Sequence, residues 1–296
     1  MNNKELEIKK IDIADTEYPK QLKKIADPPK ILYYLGNLNA LNYKYAVAVV
    51  GTRRCSEYGR EATQKITKEL AQAGVAIISG LATGIDTEAH KTALEYSAPT
   101  IAVLGTGLDD KVIYPQRNLR LAHKIIEKDG ILLSEYATKS EVFKANFPKR
   151  NRIVAALADA TVVTEAPLKS GALITANFAK KYNKKVYAVP GNIFSHLSRG
   201  TNQLLQNGAN ITMDGKNVLK DLGVKNDRNQ KILNLNLNIL EMRVLNLIKN
   251  SPDAMHIDKI IQKAKVDSSE VSVALTNLVL NDLIKEASSN CYIIIQ

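Results

Sequence analysis

The chain has 296 residues, 45% of them hydrophobic, which is enough for one large core and a small satellite domain. It contains no run of about 18 apolar residues, which excludes a transmembrane helix, and the charged opening "MNNKELEIKKIDIADTEYPK" lacks the apolar middle of a signal peptide. Net charge is +11, yet the stretch from Lys225 onward carries nine Lys/Arg against eight Asp/Glu, so a charge of +10 belongs to residues 1–224 and any anionic partner is expected there.

Residues 1–44 read as a lead-in punctuated by proline, "YPKQLKKIADPPKILYYLG". Six apolar runs follow within 45–222: "AVAVVG" (46–51), "VAIISG" (75–80), "TIAVLG" (100–105), "GILLSE" (130–135), "ATVVTEA" (160–166) and "KVYAVPG" (185–191). They are continuous rather than alternating and rich in Val and Ile, as in strands buried on both faces. Between the first two, "REATQKITKELAQAG" places Ala62, Ile66 and Leu70 on one helical stripe and stops at Gly74. Strands alternating with helices predict an α/β fold, a Rossmann-like doubly wound parallel sheet. The polar, Asn-rich "GVKNDRNQKILNLNLN" predicts a linker over 223–237.

Over 238–296 the pattern changes. Leu240, Val244, Leu247 and Ile248 share one helix face, "HIDKIIQKA" is a short second helix, and "DSSE" predicts a capping box for a third with Val271, Ala274, Leu275 and Leu278 on its stripe. "CYIIIQ" closes as a strand. Three helices and a strand outline a winged helix. Its candidate recognition helix holds Asp267, Glu270, Asp282 and Glu286 against Lys285, the wrong sign for a phosphate backbone, so packing or protein contact is expected of it.

Several strands end in Gly or Ser, and in open parallel sheets such ends line the ligand crevice. "GTGLDD" (105–110) has two glycines of a dinucleotide fingerprint and not the third, "GLATGID" is G-x-x-x-G, and no G-x-x-x-x-G-K-[ST] exists, which argues against a nucleotide cofactor. His90, His123, His196 and His256 stand at no metal-ligand spacing, and no metal is expected. Asp86 and His90 lie four apart; the expectation is that Asp86 caps the helix "TEAHKTALEY" while His90 packs nearby. Glu135 and Glu165 follow strands without a nucleophile–base constellation, so structural roles are expected. Cys55 and Cys291 read as free thiols of a reducing cytosol.

Nucleic acid fits better. The loop "GTRRCSEYGR" sets Gly51, Thr52, Arg53 and Arg54 directly after the first strand, offering guanidinium groups to phosphodiester oxygens. The stretch "KSEVFKANFPKRNR" (139–152) holds Lys139, Lys144, Lys149, Arg150 and Arg152 against Glu141, with Phe143 and Phe147 interleaved. Cations for a backbone and rings for bases are what single-strand binding requires.

Seven motifs in order, "VVGTRR…YG", "ISGLATGID..AH", "VLGTGLD…YP", "LLSE", "FPKRNRIVAAL", "SGALITA.FA" and "AVPG", resemble the DNA-processing protein A family (DprA, also called Smf) over residues 18–222, and the tail resembles that family's winged-helix domain. The resemblance implies a cytoplasmic homodimer that binds single-stranded DNA without catalysis, protects incoming strands in natural transformation and hands them to the recombinase RecA. The family's G-[ST]-R arginine falls on Arg53 and its K-x-x-F pair on Lys144 and Phe147. The resemblance adds Arg150 and Arg152 to the positive groove, with Asn151 bracing the loop. Ser79, Gly80, Gly84 and Asp86 match the glycine loop, and Ser170, Gly171 and Thr175 match a second turn-to-helix loop. Gln116 stands where some members carry a Lys after "YP". About 44 residues precede the first strand, too few for the sterile-alpha-motif-type domain of many members, so none is expected. The alternative is a nucleotide-processing enzyme resembling the lysine-decarboxylase-like phosphoribohydrolases; against it, Phe178 occupies the place of their catalytic glutamate.

Overall fold

The structure, a computed structural model, describes residues 7–224, 237–251, 253–281 and 283–294. The chain divides into two compact units, Met1–Lys225 and Asn226–Gln296. The expected linker lies outside the described residues except at its ends, 223–224 and 237.

In chain order the first unit comprises β1 (Lys9–Asp12), α1 (Lys20–Lys23), β2 (Ile31–Gly36), β3 (Ala46–Val50), α2 (Glu57–Gln72), β4 (Ala76–Ser79), α3 (Ile85–Glu95), β5 (Thr100–Leu104), α4 (Leu119–Glu127), β6 (Ile131–Ser134), α5 (Asn146–Leu157), β7 (Ala160–Val163), α6 (Gly171–Lys181), β8 (Lys185–Ala188), α7 (Arg199–Gln206), β9 (Asn210–Ile211) and α8 (Lys216–Asp221). All six anticipated strands form, and they pair in parallel. The sheet order is β1-β2-β6-β5-β4-β3-β7-β8-β9. From β3 the chain winds outward through β4, β5 and β6, then returns to place β7 on the other side of β3. The loops after β3 and β7 therefore diverge, which is the switch point where open α/β sheets bind ligands.

Burial on both faces explains the unbroken apolar runs. In β3, Ala46, Ala48 and Val50 enter one core with α5 and α6, while Val47 and Val49 enter another with α2 and α3. The α2 stripe packs as its spacing requires, with Ile66 and Leu70 fully buried and Ala62 against the same core. Ser56 caps α2 by accepting the Gly59 N–H at 3.1 Å.

The lead-in is not merely a connector. β1 and β2 add two antiparallel strands to the sheet through β6, with Tyr33 opposite Ser134. Tyr18 is buried and donates its hydroxyl to the Pro29 carbonyl at 2.6 Å. The segment "ILYYLG" reads only as part of a lead-in punctuated by proline, because β2, although paired on both sides, is only partly buried along most of its length and lacks the unbroken apolar signature of the central strands.

The second unit contains α9 (Ile239–Lys249), β10 (Met255–His256), α10 (Ile257–Ala264), α11 (Ser268–Leu280), β11 (Ile284–Ser288) and β12 (Cys291–Ile294). Val244, Ile248, Val271, Ala274, Leu275 and Leu278 form its core, as the stripes predicted. β12 pairs with both β10 and β11, giving the wing a partner strand that the sequence reading missed. Asp267 does cap α11, accepting the Ser268 N–H at 2.6 Å. The reciprocal capping box, however, forms at Asn238 and Glu241, at the start of α9.

Candidate nucleic-acid interface

At the carboxyl ends of β3, β4 and β7 an open cleft of about 740 Å³ is lined by Gly51, Thr52, Arg53, Arg54, Gly80, Lys144, Phe147, Arg150, Asn151, Ser170, Gly171 and Thr175, among others. The loop after β3 is clamped from both sides. The Thr52 N–H donates to the Glu165 carbonyl at 2.7 Å, the Thr52 carbonyl accepts from Ile85 N–H at 3.2 Å, and the Thr83 hydroxyl donates to the Arg53 carbonyl at 2.9 Å. Gly84, at φ +73°, lies so close to Thr52 and Arg53 that a Cβ there would collide with their backbone. The Arg53 side chain is exposed, and its guanidinium carbon lies 5.2 Å from the centre of the Phe147 ring. Lys144, on the segment leading into α5, lines the same cleft and is also exposed. Across from them, α6 begins at the cleft with Ser170 as its cap, accepting the Ala172 N–H at 3.2 Å. A helix N-terminus with free N–H groups favours an anion.

Arg150 forms the floor rather than a rim. It is 4% exposed, donates to the Val103 carbonyl and, through Nε, to Asn151 Oδ1 at 3.2 Å. Burial brings its pKa down to about 10, Asp86 opposing and Arg53 adding to the fall. A Cβ at Gly80 would strike this guanidinium. Asn151 donates to the Gly171 carbonyl at 3.0 Å, so it ties α5 to the start of α6.

Four expectations are corrected. Asp86 does not cap α3: the cap position is Gly84, and the buried Asp86 carboxylate accepts N–H groups of Gly80 (3.1 Å) and Ala82 (3.3 Å) in the preceding loop. Burial raises its pKa, with Arg150 pulling the other way. Arg152 adds no charge to the cleft: it is 6% exposed and pairs with Glu135 at 2.5 Å and Asp27 at 3.3 Å. Ser79 is fully buried and donates to the Val49 carbonyl at 2.7 Å, binding β4 to β3. Lys149 is exposed and does not line the cleft. Along α5 successive residues turn by about 100°, so a run of cations in sequence cannot share one face.

The acid–base candidates are engaged structurally. Glu165 accepts both the N–H (2.8 Å) and the hydroxyl (2.6 Å) of Ser56. His90 is fully buried, bonds Thr100 Oγ1 through Nδ1 at 2.7 Å and is pushed by burial, reinforced by Arg150, to a pKa of about 3. Phe178 stacks on Tyr182 with ring centres 6.1 Å apart. Gln116 donates its amide to the Asp110 carbonyl at 2.8 Å. Among the described residues no three His, Cys, Asp or Glu gather to hold a metal, and no helix is long and apolar enough to cross a membrane.

Residues overlooked in the sequence also line the cleft: Tyr114, whose ring centre lies 5.6 Å from that of Phe147, Lys169, and His196 with Leu197 from the loop after β8. Lys169 directly precedes the Ser170-Gly171 pair and Tyr114 stands in the "YP" motif, so both were within sight; the last two were not, because nothing local marks a loop that folds over a distant rim.

The family model described as DNA recombination-mediator protein A matches residues 9–223, and the DprA winged helix domain matches 235–289. Protein Smf of Synechocystis is 42% identical over 226 residues, covering 74% of this chain and 56% of the relative, so the chain spans little more than half of that protein. The DNA processing protein DprA of Streptococcus pneumoniae is 44% identical, covering 71% of this chain and 72% of its own. Its X-ray structure superposes with a TM-score of 0.68 at 41% identity, covering 72% of this chain and 74% of the other. The DNA processing protein A of Helicobacter pylori, whose structure concerns its single-stranded DNA binding mode, gives a TM-score of 0.65 at 34% identity, covering 74% and 96%. Matched along both units, the chain belongs to the DNA recombination-mediator protein A (DprA) family, with that family's winged-helix domain behind its α/β unit.

Proposed function

We propose that the protein binds single-stranded DNA along this cleft, protects the strand and loads the recombinase RecA onto it in natural transformation and recombination, working in the cytoplasm as a homodimer and catalysing no reaction. The observation that carries the reading is the Arg53 guanidinium over the Phe147 ring with Lys144 in the same cleft. Cations for phosphates and a ring for a base then lie side by side. The single-stranded DNA binding of the Helicobacter pylori relative supports it. In this reading Gly51, Thr52, Gly80 and Gly84 hold the Arg53 loop close to the strand, and Ser170, Gly171 and Thr175 turn the start of α6 toward a phosphate.

No observation favours the phosphoribohydrolase alternative: Glu165 is committed to Ser56, and an aromatic ring fills the place of the catalytic acid. Duplex recognition by the winged helix is disfavoured as well, since Ser268–Leu280 carries Glu270 and no Lys or Arg.

A fluorescence-anisotropy titration of labelled single-stranded and duplex oligonucleotides at two salt concentrations tests the reading. Preference for the single strand and a steep loss with salt are expected. Binding indifferent to salt, or stronger to duplex, would sink it. RecA filament formation on the preformed complex tests loading, and no acceleration would remove that part.

A further inference from the structure

A smaller cavity of about 160 Å³ adjoins the cleft, sharing Arg53, Arg54, Tyr114 and Phe147 with it and adding Thr83 and Arg117. That volume is well below the roughly 300–1,000 Å³ of a site for a drug-sized ligand, so it takes one ring system rather than a whole nucleotide. Two aromatic rings wall it, Tyr114 and Phe147, tilted 50° to each other. Four arginines line it: the buried Arg150 belongs to its floor, and Arg53, Arg54 and Arg117 are exposed and, among the described residues, unpaired with any carboxylate.

Each feature excludes a different occupant. An apolar side chain from a protein partner gains nothing from three unpaired cations. A free inorganic anion gains nothing from two ring faces. A planar heterocycle attached to a polyanion satisfies both. The turn after Tyr114 also explains which cation serves. Gln116 commits its amide to the Asp110 carbonyl, while the neighbouring Arg117 lines the alcove.

We propose that this alcove is a second base subsite: Tyr114 stacks one base of the strand while Arg117 contacts a flanking phosphate. The proposal rests on the single-strand reading above and extends it to residues outside the Arg53–Lys144–Phe147 set.

The test compares a labelled dT 20-mer with an abasic, tetrahydrofuran-backbone 20-mer of equal charge, by anisotropy over a salt series. Tyr114→Leu, which keeps an apolar contact to Phe147 but no ring, should weaken dT binding about tenfold and leave the abasic oligomer within about twofold. Arg117→Ala should weaken both and flatten the salt slope by about one phosphate. If Tyr114→Leu does not fold, as judged by its thermal melt, Thr83→Trp fills the alcove instead and should again cost dT binding alone. Unchanged dT binding in the folded Tyr114 or Thr83 variant, or an unchanged salt slope for Arg117→Ala, overturns the subsite. If Arg53→Ala still loses affinity in the same assay, the single-strand reading survives that failure. If the parent protein binds neither oligomer, both fall together.

Discussion

The Arg53 guanidinium carbon stands 5.2 Å from the centre of the Phe147 ring, and the two residues lie 94 positions apart, one in the loop following β3 and the other in the first turn of α5. This contact places a permanent cation and a ring side by side at the switch point of the sheet. It also separates two kinds of binding energy. In the proposed reading Arg53→Ala and Lys144→Ala each remove a cation set against a phosphate, so each should weaken single-strand binding and flatten the dependence of log K on log salt by about 0.7 per phosphate left unneutralised. Phe147→Ala should weaken binding by about 1–3 kcal/mol with the slope nearly kept. A Phe147 variant that changes the slope as much as Arg53→Ala would contradict this division.

Gly84 tests whether the Arg53 loop must be held. Its φ of +73° and ψ of −126° lie in a region almost reserved for glycine, and a Cβ would meet the Thr52 and Arg53 backbone. Gly84→Ala should cost about 1–3 kcal/mol in urea unfolding and reduce DNA affinity beyond that of a surface control. Unaltered stability with parental affinity would show that the loop adapts.

The sheet was legible because parallel strands buried on both faces write continuous apolar runs, and the helix stripes were legible because their period is that of the helix. The cleft was half legible. Arg53, Lys144 and Phe147 were visible as charge and ring in loops that must end at one sheet edge. Arg152 and Lys149 were misread because composition counts cations without saying which way α5 turns them; Arg150 does line the cleft, as its floor, while Arg152 is spent in ion pairs and Lys149 stays outside the lining. Asp86 was misread because an aspartate two residues into a helix has two loops within reach, and only the backbone of 80–82 decides between them. The wing's first strand, Ile284–Ser288, escaped notice because four of its five residues are exposed and polar or small.

Arg150 and Asp86 are both buried and, without a direct ion pair between them, each favours the charged form of the other. Arg150→Met leaves the Asp86 carboxylate buried without the positive charge that counters its desolvation and leaves the Val103 carbonyl and Asn151 Oδ1 without their donor, and should cost about 1–3 kcal/mol in the unfolding of the first unit. Arg150→Lys keeps the charge but loses the forked donors to Val103 and Asn151, so an intermediate loss is expected. If Met and Lys are equally tolerated in chemical denaturation, the pair contributes nothing to the floor of the cleft.

His90 gives the first unit a pH dependence of predictable sign. Folded, its pKa is about 3, because burial disfavours the imidazolium and Arg150 repels it; unfolded, it returns to the ordinary value near 6.5. Below 6.5 the unfolded chain therefore takes up a proton that the folded one refuses. Stability is full above 6.5 and falls as the pH drops toward 3, by about 1.4 kcal/mol per unit. The range from 6.5 to 5 reads this best, since most carboxylates are still ionised there. His90→Asn keeps a donor near the Nδ1 position for Thr100 Oγ1 but cannot titrate. Its melting temperature should therefore fall less steeply than the parent's across that range, whatever its absolute stability. Parallel curves would mean that His90 takes up its proton without unfolding the core around it.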